Sequence, residues 1–423
     1  PLGADSSANT ETSHNPPPPP KTHPATRHYH RLCAQHTWVL PLTLILLTLL
    51  AYALSPGAHN PLHAALFLSY ANPPLHERTH TLPARLGPVT QYGQGPKDLA
   101  FVAFYTVVLS FTREFLMQRV VRPVALACGL RRPAKLARFM EQMYTALYFG
   151  VAGPVGLYVM SRTPVWYFDV MGMYEGFPHR AHEACFKAYY LLQGAYWAQQ
   201  AVVLVLRQEK PRKDFRELVV HHVVTLSLIA LSFRFHFTYM GVAVYVTHDI
   251  SDFFLATSKC LNYINSPLTA PCFVFFVGVW AYTRHLLCLR MLYSVAPMGP
   301  PVPAFLHFPP VNAFATVGSF TVDWPNHQYK FWFSQTLAFL LMGTLQAVNL
   351  FWFFLILRIL WRYVRRGVPK DDRSDDEDEE DGGEATPVVL LNGRPPTPAV
   401  ALNGRAPNGA APDGDRKATP RKR

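Results

Sequence analysis

Residues 213–263, KDFRELVVHHVVTLSLIALSFRFHFTYMGVAVYVTHDISDFFLATSKCLNY, decide how this chain is read. They hold two consecutive apolar segments, roughly 218–236 and 239–258, each long enough to cross a bilayer as a helix. Into these the sequence sets five ionisable residues: His221 and His222 in the first, and His248, Asp249 and Asp252 in the second. A charged Asp at the centre of a membrane helix costs about 2.5–3.5 kcal/mol on insertion scales. Groups that costly belong where they face a protein or water interior. The two segments are therefore read as the reaction centre of a polytopic membrane protein.

Working outward, half of the 423 residues are apolar, and they cluster into eight blocks: 37–54, 99–120, 140–160, 185–206, 218–236, 239–258, 270–292 and 333–360. Blocks of about 20 residues predict an all-α polytopic membrane protein with about eight transmembrane helices. The net charge is +12, and its placement carries the information. Arg122, Arg131, Arg132, Lys135 and Arg138 follow the second block; Arg207, Lys210, Arg212, Lys213 and Arg216 follow the fourth; Arg358, Arg362, Arg365 and Arg366 end the eighth. From 293 to 332 the only Lys or Arg is Lys330. The positive-inside rule then puts both termini in the cytosol. These charges are read as topology, with no nucleic acid implied. A Pro-rich tail (1–35) and an acidic tail (367–423, with DDRSDDEDEED) are expected to be disordered. Ser374, before the acidic run, is a candidate phosphorylation site. Six scattered cysteines without a C-x-x-C imply neither disulfide nor zinc. No cleavable signal peptide is expected, because the first apolar block begins near 37.

If the two central segments are antiparallel neighbours, residues whose numbers sum to about 475 lie at equal depth. His248 and Asp252 (i,i+4) and Asp249 and Asp252 (i,i+3) can share one helix face, and His221 and Thr225 another. Two imidazoles and two carboxylates then converge about two turns below the cytosolic surface, roughly 8–10 Å at 1.5 Å per residue. A His oriented by a carboxylate is a general base, or a nucleophile acting through an acyl-imidazole. Two His and two Asp could also ligate a metal. Di-iron lipid oxidases, however, need several more histidines in spaced pairs. The other close pair here, His179 and His182, falls in a loop predicted to be lumenal, so no metal is expected. The plainest alternative is polar groups that only hold two helices together.

The string Lys213-Asp214-Phe215, His221-His222, Thr225, Leu228, Ser232-Phe233, Gly241, His248-Asp249, Asp252, Leu255, Lys259 and Asn262-Tyr263 resembles the longevity-assurance motif of the eukaryotic ceramide synthases, within the TLC-domain superfamily. It runs without a gap, and the wider TLC-type arrangement covers about 139–366, leaving 36–138 as two further helices and a lumenal loop. The departures are His236 where the family mostly has Asn, Tyr239 and Met240 where it has a basic residue near Gly241, and Ala256 where it has Glu. FRFHFTYMG and the acidic tail resemble the fungal branch.

The resemblance implies a TLC-type helical barrel enclosing an intramembrane site. The implied activity is N-acylation of a sphingoid base (sphinganine or phytosphingosine) by a long or very-long-chain fatty acyl-CoA, releasing CoA. Acyl-CoA is then a co-substrate, and no separate cofactor is needed. Residence in the endoplasmic-reticulum membrane, a small single-span accessory subunit, and a homo- or heterodimer are implied as well. The His221/His222 pair would supply nucleophile or base, with Asp249 or Asp252 orienting a His and His221 favoured as acyl acceptor; the role of His248 stays open. Arg212, Lys213, Arg216, Thr225, Lys259, Asn262, Tyr263 and Arg284 are the candidate substrate-binding residues, with the basic loops facing CoA phosphates. Tyr189, Tyr190, Trp197 and Trp280 are candidates to line an acyl channel, and the 293–332 loop to set chain length. A non-catalytic TLC-domain lipid sensor or translocation-associated protein is the competing reading; it would be expected to lack part of the His/Asp set, all of which is present.

Overall fold

The computed structural model of the protein describes residues 32–33, 36–71, 89–209, 213–302, 308–317, 320–323 and 328–366. Arg212, Ser374 and nearly all of both predicted tails lie outside these residues. Eight main helical segments follow in chain order: α1 (Val39–Ala53), α2 (Lys97–Ala127), α3 (Pro133–Ser161), α4 (Ala184–Val205), α5 (Phe215–Arg234), α6 (Thr238–Tyr263), α7 (Thr269–Val295) and α8 (Trp332–Arg366). One π-helical turn interrupts α2 at Met117–Val121 and another interrupts α7 at Ala281–Leu287.

By length and composition, α2, α3, α5, α7 and α8 can cross a membrane. The α1 helix is apolar but has 15 residues. With 22 and 26 residues, α4 and α6 have the length. Their polar side chains lower the hydropathy: Lys187, Gln193 and Gln199 in α4, and His248, Asp249, Asp252 and Lys259 in α6. The protein is an all-α, multi-pass membrane protein whose two most polar long helices sit innermost.

The α6 helix packs most extensively on α3, and the sequence of α3 explains why. Gly150, Gly153 and Gly156 recur every third residue and face Phe253, Ile250 and Val246 in turn, an antiparallel register. Small residues let two helices approach closely in a membrane. A Cβ at Gly156 would stand 2.8 Å from Val246 Cγ2 and 2.9 Å from Tyr189 Cζ, so only glycine fits there unaltered. The simple pairing of α5 with α6 anticipated from sequence is thus incomplete. They are successive and antiparallel, but α5 packs chiefly on α8 and α4, and a cavity lies between α5 and α6.

The loops between helices are tied down. Strand β1 (Gln91–Gly93) pairs antiparallel with β2 (Ala181–Glu183), with Tyr92 opposite His182, and β3 (Thr321–Asp323) pairs with β4 (Gln328–Lys330). The fully buried Lys187 of α4 joins Asp98 at 2.7 Å, Ser69 O at 2.9 Å and Gly93 O at 2.6 Å. His179 lies between the carbonyls of His236 (3.0 Å) and Glu175 (2.9 Å). Burial, the larger influence, pushes it down to about 4 against the pull of those carbonyls. His182 meets Gln94 and Thr238, each at 3.1 Å. These two histidines fasten loops.

Candidate active site

Three helices present apolar stripes at helical spacing to one space. From α5 come His221, Thr225, Leu228, Ile229 and Ser232; from α6 Gly241, Val244, Tyr245, His248 and Asp249; from α8 Ser334, Leu337, Ala338, Leu341 and Leu345. With Tyr190 and Trp197 of α4 they line one elongated apolar cavity. It runs from His221 to the C-terminal end of α5, about 20 Å at 1.5 Å per residue. A second, more polar cavity takes residues from all six helices α3–α8, among them Glu141, His222, Asp252, Lys259 and Arg284, and Arg207 from the loop after α4. Among the described residues, only Trp197 and His221 line both.

His221 is buried, and its Nδ1 has no hydrogen-bond partner. Indole edges fix the ring: Trp197 and Trp352 stand 5.4 and 5.2 Å away, near perpendicular. His222 donates Nδ1–H to Leu218 O at 2.8 Å, one turn back, which leaves its lone pair on Nε2. Thr225, one turn after His221, has a buried hydroxyl without a partner.

The carboxylates are held by groups other than imidazole. Asp252 pairs with Arg284 Nη2 at 2.5 Å. Arg284, 2 % exposed, also donates Nε–H to Ser251 Oγ (2.6 Å) and Nη1–H to Asn349 Oδ1 (3.0 Å), and stacks 4.2 Å from the Trp280 ring. Because Asn349 accepts with its oxygen, its amide nitrogen faces His248 Nε2 at 3.3 Å as donor. His248 therefore carries its proton on Nδ1, which donates to Val244 O at 2.8 Å. With both ring nitrogens engaged, His248 is a fixed element of this network. Asp249 accepts on Oδ2 from Tyr189 Oη at 3.0 Å and from Gln193. The expected His–Asp couple is replaced by Asp249 held from α4 and Asp252 held from α7; a cation or a pair of neutral donors satisfies a buried carboxylate better than a neutral ring.

The structure brings together His221, His222, His248, Asp249, Asp252, Thr225, Lys259 and Arg284 around the two cavities. Lys213 and Arg216 are exposed near the start of α5 and line neither cavity. Asn262 is exposed, while Tyr263 packs beside Val121, Leu130, Phe139 and Cys260. Arg138, read from sequence as a loop cation, is buried in α3 and paired with Glu141 at 3.1 Å. Of the aromatic candidates, Tyr190 and Trp197 line the apolar cavity and Trp280 the polar one. Gln193, Asn349 and Trp352, whose Nε1 donates to Asp214 Oδ2 at 3.1 Å, were not anticipated. Gln193 and Asn349 were open to the argument used for the acids, since an amide amid apolar helix residues also demands a partner.

The TLC domain family (TRAM, LAG1 and CLN8) matches residues 138–358. The chain is 46 % identical over 352 residues to the sphingosine N-acyltransferase-like protein FUM17 of Gibberella moniliformis, covering 83 % of this chain and 85 % of the relative. It is 45 % identical over 346 residues to sphingosine N-acyltransferase lac1 of Schizosaccharomyces pombe (82 % and 83 %). Against ceramide synthase LAG1 of Saccharomyces cerevisiae it is 42 % identical over 354 residues (83 % and 79 %). The chain belongs to the fungal ceramide synthases of the TLC-domain family. It is an acyltransferase.

Proposed function

We propose that this ceramide synthase is a catalytic subunit that moves a long or very-long fatty acyl group from acyl-CoA to the amine of sphinganine or phytosphingosine, with His221 as the acyl acceptor. The observation that carries this is the place of His221: among the described residues it is the one ionisable side chain shared by an apolar and a polar cavity, and its Nδ1 is unpartnered. A fatty acyl thioester has the same two halves. Its chain suits the apolar cavity, and its CoA suits the polar one, where Arg207 and Lys259 oppose phosphate charge. In the first step a ring nitrogen of His221 attacks the thioester carbon, the C–S bond breaks, and the thiolate takes the imidazole proton. In the second, the neutral amine attacks the acyl-imidazole, the C–N bond to the ring breaks, the ring nitrogen takes a proton from the amine, and the amide leaves. The Nε2 lone pair of His222 is placed to pass protons on the polar side.

Endoplasmic-reticulum residence with cytosolic termini rests on the charge pattern and the family resemblance. So does an association with a small single-span subunit or a second catalytic chain. The test is mass spectrometry of the purified protein with a panel of acyl-CoAs, with and without sphinganine. Ceramide with sphinganine, and an acyl adduct on His221 without it, are expected. An adduct on His222 alone would refute the assignment of His221, and absence of ceramide from the lipid-restored protein with any co-purifying subunit would refute the activity.

A further inference from the structure

The α4 helix brings no residue that is charged at neutral pH to the site, yet it holds the carboxylate that α6 brings. Tyr189 and Gln193 stand one turn apart on α4. Tyr189 Oη donates to Asp249 Oδ2 at 3.0 Å, and Gln193 Nε2 donates to the same oxygen and to Tyr189 Oη, the latter at 3.0 Å. Tyr148 of α3 donates to Gln193 Oε1 at 3.0 Å, which fixes the direction of the amide. Asp249 and Gln193 are 0 % and 1 % exposed.

Both donors are neutral and both act on Oδ2. Oδ1 is buried without a hydrogen-bond partner, and among the described residues Asp249 makes no ion pair. A buried carboxylate satisfied on one side only is a receptor for a charged donor. Asp249 lines the apolar cavity together with His221.

We propose that Tyr189 and Gln193 are positioning residues that grip Asp249 by Oδ2 so that Oδ1 receives the substrate's ammonium and takes from it the proton that blocks attack. This rests on the sphingoid-base reading, because a cationic amine is what such a receptor serves. The ammonium gives one proton to Oδ1. The freed lone pair forms the C–N bond to the acyl carbon, and the bond to the leaving group, His221 nitrogen or CoA sulfur, breaks. That leaving group takes the second proton from nitrogen as the amide forms. Asp249 then releases its proton, which balances the step.

The test is steady-state kinetics of the full chain with Gln193→Met, Tyr189→Phe and Tyr148→Phe, varying sphinganine and acyl-CoA separately. For the first two, kcat/KM for sphinganine should fall about tenfold or more, as expected for loss of a hydrogen bond to a charged group, with the acyl-CoA dependence within about twofold of the parent. Tyr148→Phe, which only unfastens the amide, should fall in the same direction by less. It removes a single hydroxyl, so it carries the test should the other variants misfold. Equal losses toward both substrates, or an unchanged sphinganine dependence in folded variants, would overturn the positioning role. A parent protein that makes no ceramide in the same assay would instead overturn the sphingoid-base reading and this role with it.

Discussion

Replacing Arg284 should unfasten the contacts among α6, α7 and α8. Its guanidinium, 2 % exposed, bonds Asp252, Ser251 and Asn349 and stacks on Trp280. In Arg284→Leu, breaking a buried ion pair from one side costs about 3–5 kcal/mol. The Asp252 side chain keeps 19 % of its exposure, so the lower end, about 3 kcal/mol, applies. Orphaned partners at Ser251 and Asn349 add about 1 kcal/mol each, and the lost stacking about 1 kcal/mol. Apolar burial of the new Leu returns about 2 kcal/mol. The net loss is about 4 kcal/mol, a large share of the roughly 5–15 kcal/mol that holds a typical protein folded. The assay is SDS-titrated unfolding in mixed micelles, run as a double-mutant cycle with Asp252→Leu. The double variant should be destabilised by at least about 2 kcal/mol less than the sum of the singles. Arg284→Lys should recover only part of the loss, because an ammonium lacks the fork that reaches three acceptors. A loss below about 1 kcal/mol, or strict additivity, would refute the ion-pair account.

Four further outcomes are expected. His221→Ala should lower ceramide formation at least about a thousandfold, as removal of a covalent catalyst does, and His222→Ala should cost less; product mass spectrometry separates them, and the reverse order would count against His221 as nucleophile. Gly156→Ala forces a methyl against Tyr189 and Val246; a stability loss of about 1–3 kcal/mol should come with a fall in activity, since Tyr189 holds Asp249. His179 stands at about 4 when folded against about 6.5 unfolded. Protonation therefore favours the unfolded chain: this contribution, about 3 kcal/mol, is complete above about pH 6.5 and is lost as pH falls toward 4, so melting curves should flatten over that window in His179→Phe. Leu337→Trp, which obstructs the apolar cavity toward the C-terminal end of α5, should move the ceramide products to shorter acyl chains, and an unchanged profile would remove this cavity as the chain's seat.

The helices were legible because a 20-residue apolar run leaves few alternatives. The block read at 37–54 forms as Val39–Ala53, and that at 239–258 as Thr238–Tyr263. Five costly ionisable residues in two runs likewise marked the cavities they line. Neighbour choice was not legible from periodicity. The close approach of α3 to α6 depends on three glycines whose spacing means something only once the facing side chains are known. Nor were the partners of the acids. Asp252 and Asp249 lie three residues apart on one helix, yet one turns to a cation on α7 and the other to neutral donors on α4, a division that depends on which helices stand on either side.

The histidine doublet itself has a geometric explanation. Successive helix residues point about 100° apart, at 3.6 residues per turn. On α5 this leaves His221 at the boundary of the two cavities and turns His222 into the polar one alone. A single His in the apolar stripe could take an acyl chain but would lack a neighbour on the side where CoA must gain its proton. A single His on the polar face could serve CoA but would stand off the apolar stripe of Thr225, Leu228 and Ser232, the seat proposed for the chain. The doublet, on the proposed chemistry, gives one ring to each task, at adjacent positions of one rigid element. On the proposed chemistry it also separates the exits, with amide drawn along the apolar stripe and CoA held among Arg207 and Lys259. Splitting the pair, by exchanging His221 with Val220 while keeping His222, should therefore abolish acyl transfer even though two imidazoles remain.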